Sequence, residues 1–125
     1  MDTVEDLYRH VREKFPKITA SADRFHEKRW GEGPDAGDEY VWFEALANAL
    51  NAEMCHEVHY SVHEPLFNFI SGAFSSSPGP VQNCIDVSFV ENLFWQVPSA
   101  KSALYWAPLP LRLRQLYMDF HHRAP

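Results

Sequence analysis

The fold is decided by residues 39–55, which read EYVWFEALANALNAEMC. Apolar side chains recur there at intervals of three and four residues, the spacing of one face of an α-helix. This stripe consists of Tyr40, Phe43, Ala47, Leu50 and Met54. The four alanines of the stretch raise its helix propensity further, because alanine is the strongest helix former. We therefore predict a helix over residues 39–55 with Asp38 as its N-cap.

The same periodicity continues on both sides of this helix, interrupted by segments rich in Gly, Pro and Ser. The short run VSFV at 87–90 would suit a strand, but the longer helical period around it favours a helix. The predicted helices cover about 3–15, 17–30, 39–55, 62–75, 81–96, 99–106 and 109–122. The sequence thus predicts an all-α domain, residues 1–125, of six to seven helices. Pairing 39–55 with 62–75 and 81–96 with 109–122 would give an orthogonal bundle or a short stack of helical hairpins.

Length and composition narrow the class of protein. A chain of 125 residues corresponds to one domain and is long enough to form a hydrophobic core. Two cysteines do not make a disulfide scaffold, and no apolar run reaches the roughly 20 residues of a membrane helix. The N-terminal stretch MDTVEDLYRH lacks the apolar core of a signal peptide. We therefore expect a cytoplasmic protein without a membrane partner.

Charge is distributed unevenly along the chain. The formal net charge is −6, yet residues 31–100 contain no Lys or Arg at all. Their acidic residues are Glu32, Asp35, Asp38, Glu39, Glu44, Glu53, Glu57, Glu64, Asp86 and Glu91. Such a segment repels nucleic acid and anionic lipid and favours a cationic partner. The simpler alternative is an acidic surface that only keeps the protein soluble.

The densest group of acids gives the candidate contact surface. Glu32, Asp35, Asp38 and Glu39 lie within eight residues and have no basic residue among them. Trp42 is two residues away from Tyr40 of the apolar stripe, so we expect it to face away from that seam, beside the acids. Aromatic rings supply contact area and cation–π attraction, and carboxylates steer a basic partner. The alternative for Trp42 is burial beneath another helix.

Three histidines form a candidate metal site. His56, His59 and His63 are spaced by three and four residues and would share one face of a continuous helix. Imidazoles so placed can ligate zinc, with Cys55, Glu57 or Glu64 nearby. A helix break before Pro65 would scatter them, and HEVH is one residue short of the metalloprotease pattern. We therefore expect no cofactor, and interface or partly buried histidines are the alternative.

No catalytic motif is present. Cys55 and Cys84 have no base that the sequence places beside them, and buried structural thiols are the simpler interpretation. Asp86 and Glu91 are five residues apart, about 140° around a helix, and so do not converge. We therefore expect a protein that is not an enzyme.

Two stretches carry a resemblance. FEAL at 43–46 and VQNC at 81–84 followed by VSFVENL at 87–93 resemble a family of small, helical bacterial domains of unknown function. Leu109-Pro110, Leu116-Tyr117 and Phe120 extend the resemblance, which covers residues 38–122. In its class the chain is also similar to immunity proteins of bacterial polymorphic-toxin systems, which are small acidic domains that block a toxin by binding it. That resemblance implies a cognate toxin as the partner.

These observations favour an immunity-type protein that neutralises a cognate toxin with a basic surface, through Glu32, Asp35, Asp38, Glu39 and Trp42. One alternative is a metal-binding helical domain that uses the three histidines. Another is a non-catalytic scaffold that forms homodimers through exposed aromatic side chains.

Overall fold

A computed structural model describes residues 1–125 and contains seven helices and no strand. The helices are α1 (Val4–Lys14), α2 (Pro16–Trp30), α3 (Glu39–Cys55), α4 (Glu64–Ser76), α5 (Gly79–Asn83), α6 (Ser99–Trp106) and α7 (Leu111–His121). The prediction of an all-α domain is thereby confirmed. None of the seven combines the length and the apolar character that crossing a bilayer requires.

The first two helices begin and end where local sequence signals place them. Thr3 caps α1, because its hydroxyl oxygen accepts a hydrogen bond from the Asp6 backbone N–H at 3.0 Å. Pro16 opens α2, where its missing N–H costs no helical hydrogen bond. Gly31 ends α2 with φ +82°, and its N–H donates to the Glu27 carbonyl at 2.7 Å. The chain thus leaves α2 directly into a loop.

The central element is α3, whose observed bounds equal the predicted ones. It packs chiefly against α2 and against a π-helical segment, Cys84–Phe89, and also contacts α1 and α6. Phe43, Leu46 and Leu50 are completely buried there. The predicted hairpin of α3 with the following helix is not the main pairing, since α2 is the principal neighbour of α3.

The helix predicted over 81–96 is irregular and ends early. After α5 the chain continues through the π-helical segment and a 3₁₀ turn, Val90–Asn92. It then leaves the helix at Leu93, which is extended, and Phe94 has φ +68°. The reason is a tertiary contact, because the Asn51 side chain of α3 accepts a hydrogen bond from the Phe94 N–H at 2.7 Å. A side chain 43 positions away replaces the helical acceptor.

The buried face of α2 differs from the face that its apolar residues alone would predict. Ile18, Ala22 and His26 are buried at intervals of four residues, whereas Phe25 and Trp30 are exposed. A histidine therefore occupies a core position, and two aromatic side chains remain on the surface. His26 contacts the loop between α2 and α3, and Phe25 and Trp30 line a groove between the same two helices.

Candidate functional site

The acidic loop, defined as residues 31–39, joins α2 to α3. Glu32 and Asp35 are exposed, and Asp38 and Glu39 are half-buried. The Asp38 side chain does not cap α3 as predicted, although α3 does begin directly after it. It accepts a hydrogen bond from the Asp35 N–H at 3.0 Å instead and so stabilises the turn of the loop.

A buried histidine holds this loop against α2. His26 is 2% exposed, and its Nδ1 lies 3.1 Å from the Glu32 carbonyl oxygen. Its Nε2 is 3.7 Å from Asp38 Oδ2. Gly33 passes so close that any Cβ at that position would overlap the imidazole. Sequence reasoning missed His26, although its four-residue spacing from Ala22 indicates the inward face.

Few cations neutralise the acids of residues 31–100. Arg9 and Arg12 of α1 line a shallow cleft of about 300 Å³ together with Asp35 and Glu39. Both arginines nevertheless form their ion pairs elsewhere, with Asp6 and Asp23. Among the ten acids only Glu44 pairs with an arginine. The acidic loop therefore remains a negatively charged surface.

The structure corrects the placement of Trp42. This side chain is 0% exposed, so the expectation that it contacts a partner is wrong. Its Nε1 donates to Asp23 Oδ1 at 2.8 Å, and its ring meets the Tyr8 ring edge-on at 5.0 Å. The cause is that α1 and α2 cover the face of α3 that was expected to be free.

Two other aromatic side chains stand at the ends of the acidic loop. Trp30, the last residue of α2, is 52% exposed, and Tyr40, in the first turn of α3, is 39% exposed. The Tyr40 hydroxyl donates to the Pro80 carbonyl at 3.3 Å, which fixes the ring at the surface. Trp30 and Tyr40, not Trp42, are therefore the exposed rings at the ends of the loop, although Tyr40 was assigned to the apolar stripe of α3.

A groove of about 470 Å³ lies on the other side of Trp30, between α2 and α3. We call it the tryptophan groove. Its lining includes two cations, one carboxylate and two indole rings, contributed by Lys28, Arg29, Glu44, Trp30 and Trp95. His26 also lines it, so the groove and the acidic loop are neighbours. The size is typical of ligand pockets, which measure about 300–1,000 Å³.

Trp95 reaches the groove from a strained turn. It is 62% exposed and lies between Phe94 and Gln96, whose φ angles are +68° and +56°. Residues other than glycine rarely adopt such angles unless the surroundings impose them. Asn51 imposes them here, since it accepts from the Phe94 N–H and donates to the Asn92 carbonyl at 2.9 Å. The turn thereby holds an indole ring in solvent.

The three candidate metal ligands are not brought together. Because α3 ends at Cys55, His56 lies in an exposed turn outside any helix. His59 accepts a hydrogen bond from the Ser61 N–H and caps a 3₁₀ turn, Tyr60–Val62. His63 is buried, and its Nε2 lies 2.9 Å from Glu53 Oε1. No group of three His, Cys, Asp or Glu side chains is placed to hold a metal ion.

The two thiols occupy different environments. Cys84 is completely buried, and desolvation together with the charge of Glu39 raises its pKa to about 12. A thiol with so high a pKa carries almost no thiolate at neutral pH and is a poor nucleophile. Cys55 was expected to be buried as well, but it is partly exposed in the tryptophan groove.

Comparison with known proteins identifies a family and nothing closer. No curated protein matches the chain, and no solved structure does. One family model matches residues 8–123, nearly the whole chain, and the match begins well before residue 38, where the resemblance in the sequence starts. The expected membership of a family of unknown function is thus confirmed. The chain belongs to the family described as "Domain of unknown function (DUF7674)".

Proposed function

We propose that this chain is a non-catalytic, cytoplasmic protein of the immunity type, which binds a basic toxin protein and blocks it. The observation that carries the proposal is the acidic loop with its flanking rings. Glu32 and Asp35 are exposed without an ion pair, and Trp30 and Tyr40 are exposed at the two ends of the loop. Unpaired carboxylates attract a cationic surface over a distance, and exposed aromatic rings then provide contact area.

The geometry also supports a preformed surface. His26 and Gly33 fix the path of the loop, and the Asp38 carboxylate binds the Asp35 N–H. A loop that is already ordered loses little conformational entropy when it binds a partner. The immunity role itself comes from the class resemblance and from the absence of a recognisable catalytic motif in the sequence.

The test begins with capture of the partner from cells of the source organism. The captured protein is then produced alone and together with this chain. We expect a stoichiometric basic protein that is toxic alone and harmless when this chain is present. The double variant Glu32→Lys/Asp35→Lys should abolish that protection.

The matched control is Glu13→Lys/Glu57→Lys, which makes the same change in charge at exposed acids without ion pairs outside the loop. It should retain protection. A partner whose toxicity persists in the presence of this chain contradicts the immunity role. Equal loss of protection with both double variants contradicts the loop as the binding surface.

A further inference from the structure

Within the chain, the guanidinium group of Arg12 occupies a complete binding site. The contacts of Arg12 show which groups such a site requires. Arg12 donates two hydrogen bonds to Asp23, at 2.8 and 2.9 Å. Its guanidinium carbon lies 5.1 Å from the centre of the Tyr8 ring and 5.8 Å from that of Trp42. A carboxylate bound in bidentate fashion and two aromatic rings therefore surround this cation.

The tryptophan groove offers the same components, but they are incompletely used. Arg29 donates a single hydrogen bond to Glu44 Oε1 at 2.8 Å. Its guanidinium carbon lies 5.5 Å from the centre of the Trp30 ring. Trp95 takes part in none of the ring–ring or cation–ring contacts within the chain. One ring and half of a bidentate contact thus remain available, in a lining that also contains the ammonium group of Lys28.

Arg29 is a weakly held occupant. Its side chain is 61% exposed, and exposed ion pairs of this kind contribute little because solvent screens them and the side chain loses freedom. An incoming guanidinium group that contacts both rings and both oxygens of Glu44 would make more contacts than Arg29 does. The groove also adjoins the acidic loop through His26 and Trp30, so one basic surface can cover both.

We propose that the tryptophan groove binds an arginine side chain of the protein partner, against Trp30, Trp95 and Glu44, in place of Arg29. This inference rests on the proposed function, because it takes the partner to be a basic protein. It deepens that function by assigning the groove a specific chemical group. Arginine is favoured over lysine, since only a planar guanidinium group can stack on indole and bind a carboxylate through two parallel hydrogen bonds.

The test uses N-acetyl-arginine amide as a probe, with N-acetyl-lysine amide and N-acetyl-leucine amide as comparisons. The readout is the nuclear magnetic resonance signals of the four indole N–H groups, assigned with single Trp→Phe variants. We expect the arginine probe to shift the Trp30 and Trp95 signals saturably and to leave the buried Trp42 signal in place. The lysine probe should bind several-fold more weakly. A leucine probe that shifts the same signals at equal concentration contradicts the proposal.

Variants separate occupation of the site from general charge. Arg29→Gln removes the resident guanidinium group and should tighten probe binding by about two- to fivefold. Arg24→Gln removes the same charge five residues earlier in α2, where Arg24 binds Ser21, and should leave the affinity unchanged. Glu44→Gln and Trp95→Ala should each weaken binding about fivefold or more. Equal tightening by Arg29→Gln and Arg24→Gln overturns the proposal.

These results are independent of partner capture. Probe binding with the expected pattern supports the arginine site in the groove even if this chain protects cells from no toxin. Protection that depends on the acidic loop, together with a groove that ignores the arginine probe, supports the proposed function and contradicts this inference.

Discussion

At the scale of single residues, one carboxylate links three helices. Asp23 of α2 accepts hydrogen bonds from Arg12 of α1 and from Trp42 of α3. Partial burial by itself raises the pKa of Asp23, but the hydrogen bonds from Arg12 and Trp42 outweigh this effect, so the pKa is lowered. Trp42 is buried with its polar N–H satisfied, which explains how a core can contain an indole ring at this position.

Asp23→Asn should destabilise the protein at neutral pH. The neutral amide weakens both hydrogen bonds with Arg12, and we expect the free energy of unfolding to fall by about 2 kcal/mol. A lowered pKa means that Asp23 contributes stability above its ordinary value of 3.8 and loses that contribution as the pH falls through the folded-state pKa. Urea unfolding at pH 7 and pH 3 checks this, with Asp35→Asn as an exposed control. A loss of equal size at both pH values contradicts the role of the charge.

Asp86→Asn should have the opposite effect. Desolvation raises the pKa of Asp86, and the negative charge of Asp119 raises it further. The folded state therefore binds the Asp86 proton more tightly than the unfolded state, and stability decreases as the pH rises through the range between the two pKa values. We expect the variant to have a higher melting temperature at pH 7, and this gain should vanish in acid. A lower melting temperature at pH 7 contradicts a destabilising role of the Asp86 charge.

At the scale of elements, two irregular segments shape the surfaces proposed for binding. The acidic loop depends on close contact between Gly33 and the His26 imidazole. The turn at Leu93–Gln96 depends on Asn51, whose side chain binds two backbone groups there. Each segment is held by a side chain of a neighbouring helix.

Gly33→Ala and Gly37→Ala form a matched pair in the acidic loop. Both glycines have positive φ, +138° and +94°, so alanine is strained at either position. A Cβ at Gly37 meets no atom within 4 Å, whereas a Cβ at Gly33 overlaps His26. We expect a loss of stability of about 1 kcal/mol for Gly37→Ala and of about 2–3 kcal/mol for Gly33→Ala. Chemical denaturation measures both, and equal losses would show that His26 does not hold the loop.

Asn51→Ala should release the turn that carries Trp95. The substitution leaves the buried Phe94 N–H and the Asn92 carbonyl without their partner, at a cost of about 2–3 kcal/mol. The Trp95 indole N–H signal should move, while that of Trp42 should not. Asn48→Ala is the control, because Asn48 makes only one long contact, 3.5 Å, with Asn51. An unchanged Trp95 signal in Asn51→Ala contradicts the account of the strained turn.

At the scale of the whole molecule, features that depend on local sequence patterns were predictable, whereas features that depend on tertiary contacts were not. The bounds of α3 follow from its own periodicity and from the glycines and proline that precede it, so they were predictable. The end of the helix at Asn92 was not, because Asn51, distant in sequence, supplies the hydrogen bond that terminates it. The sequence left burial of Trp42 open as an alternative to exposure, since the outcome depends on how α1 and α2 cover α3. The acids of the candidate surface therefore stay a prediction, whereas Trp42 lies in the core and not on that surface.

The uneven distribution of charge predicts how association with a partner depends on salt. The ten acids of residues 31–100 outweigh the basic ends of the chain, and a single arginine, Arg29, pairs with one of them. Attraction of a basic partner should therefore depend on salt, since ions screen charges separated by more than about 10 Å at 0.1 M. The association rate rather than the dissociation rate should carry most of that dependence.

The measurement that tests the central claim most directly is the association rate of this chain with its captured partner, recorded from low to high salt. We expect Glu32→Lys/Asp35→Lys to lower the rate about tenfold or more at low salt and to flatten its salt dependence. The control Glu13→Lys/Glu57→Lys should retain most of the rate. If the loop variant associates as fast as the unmodified chain at low salt, the acidic loop is not the surface that receives the partner.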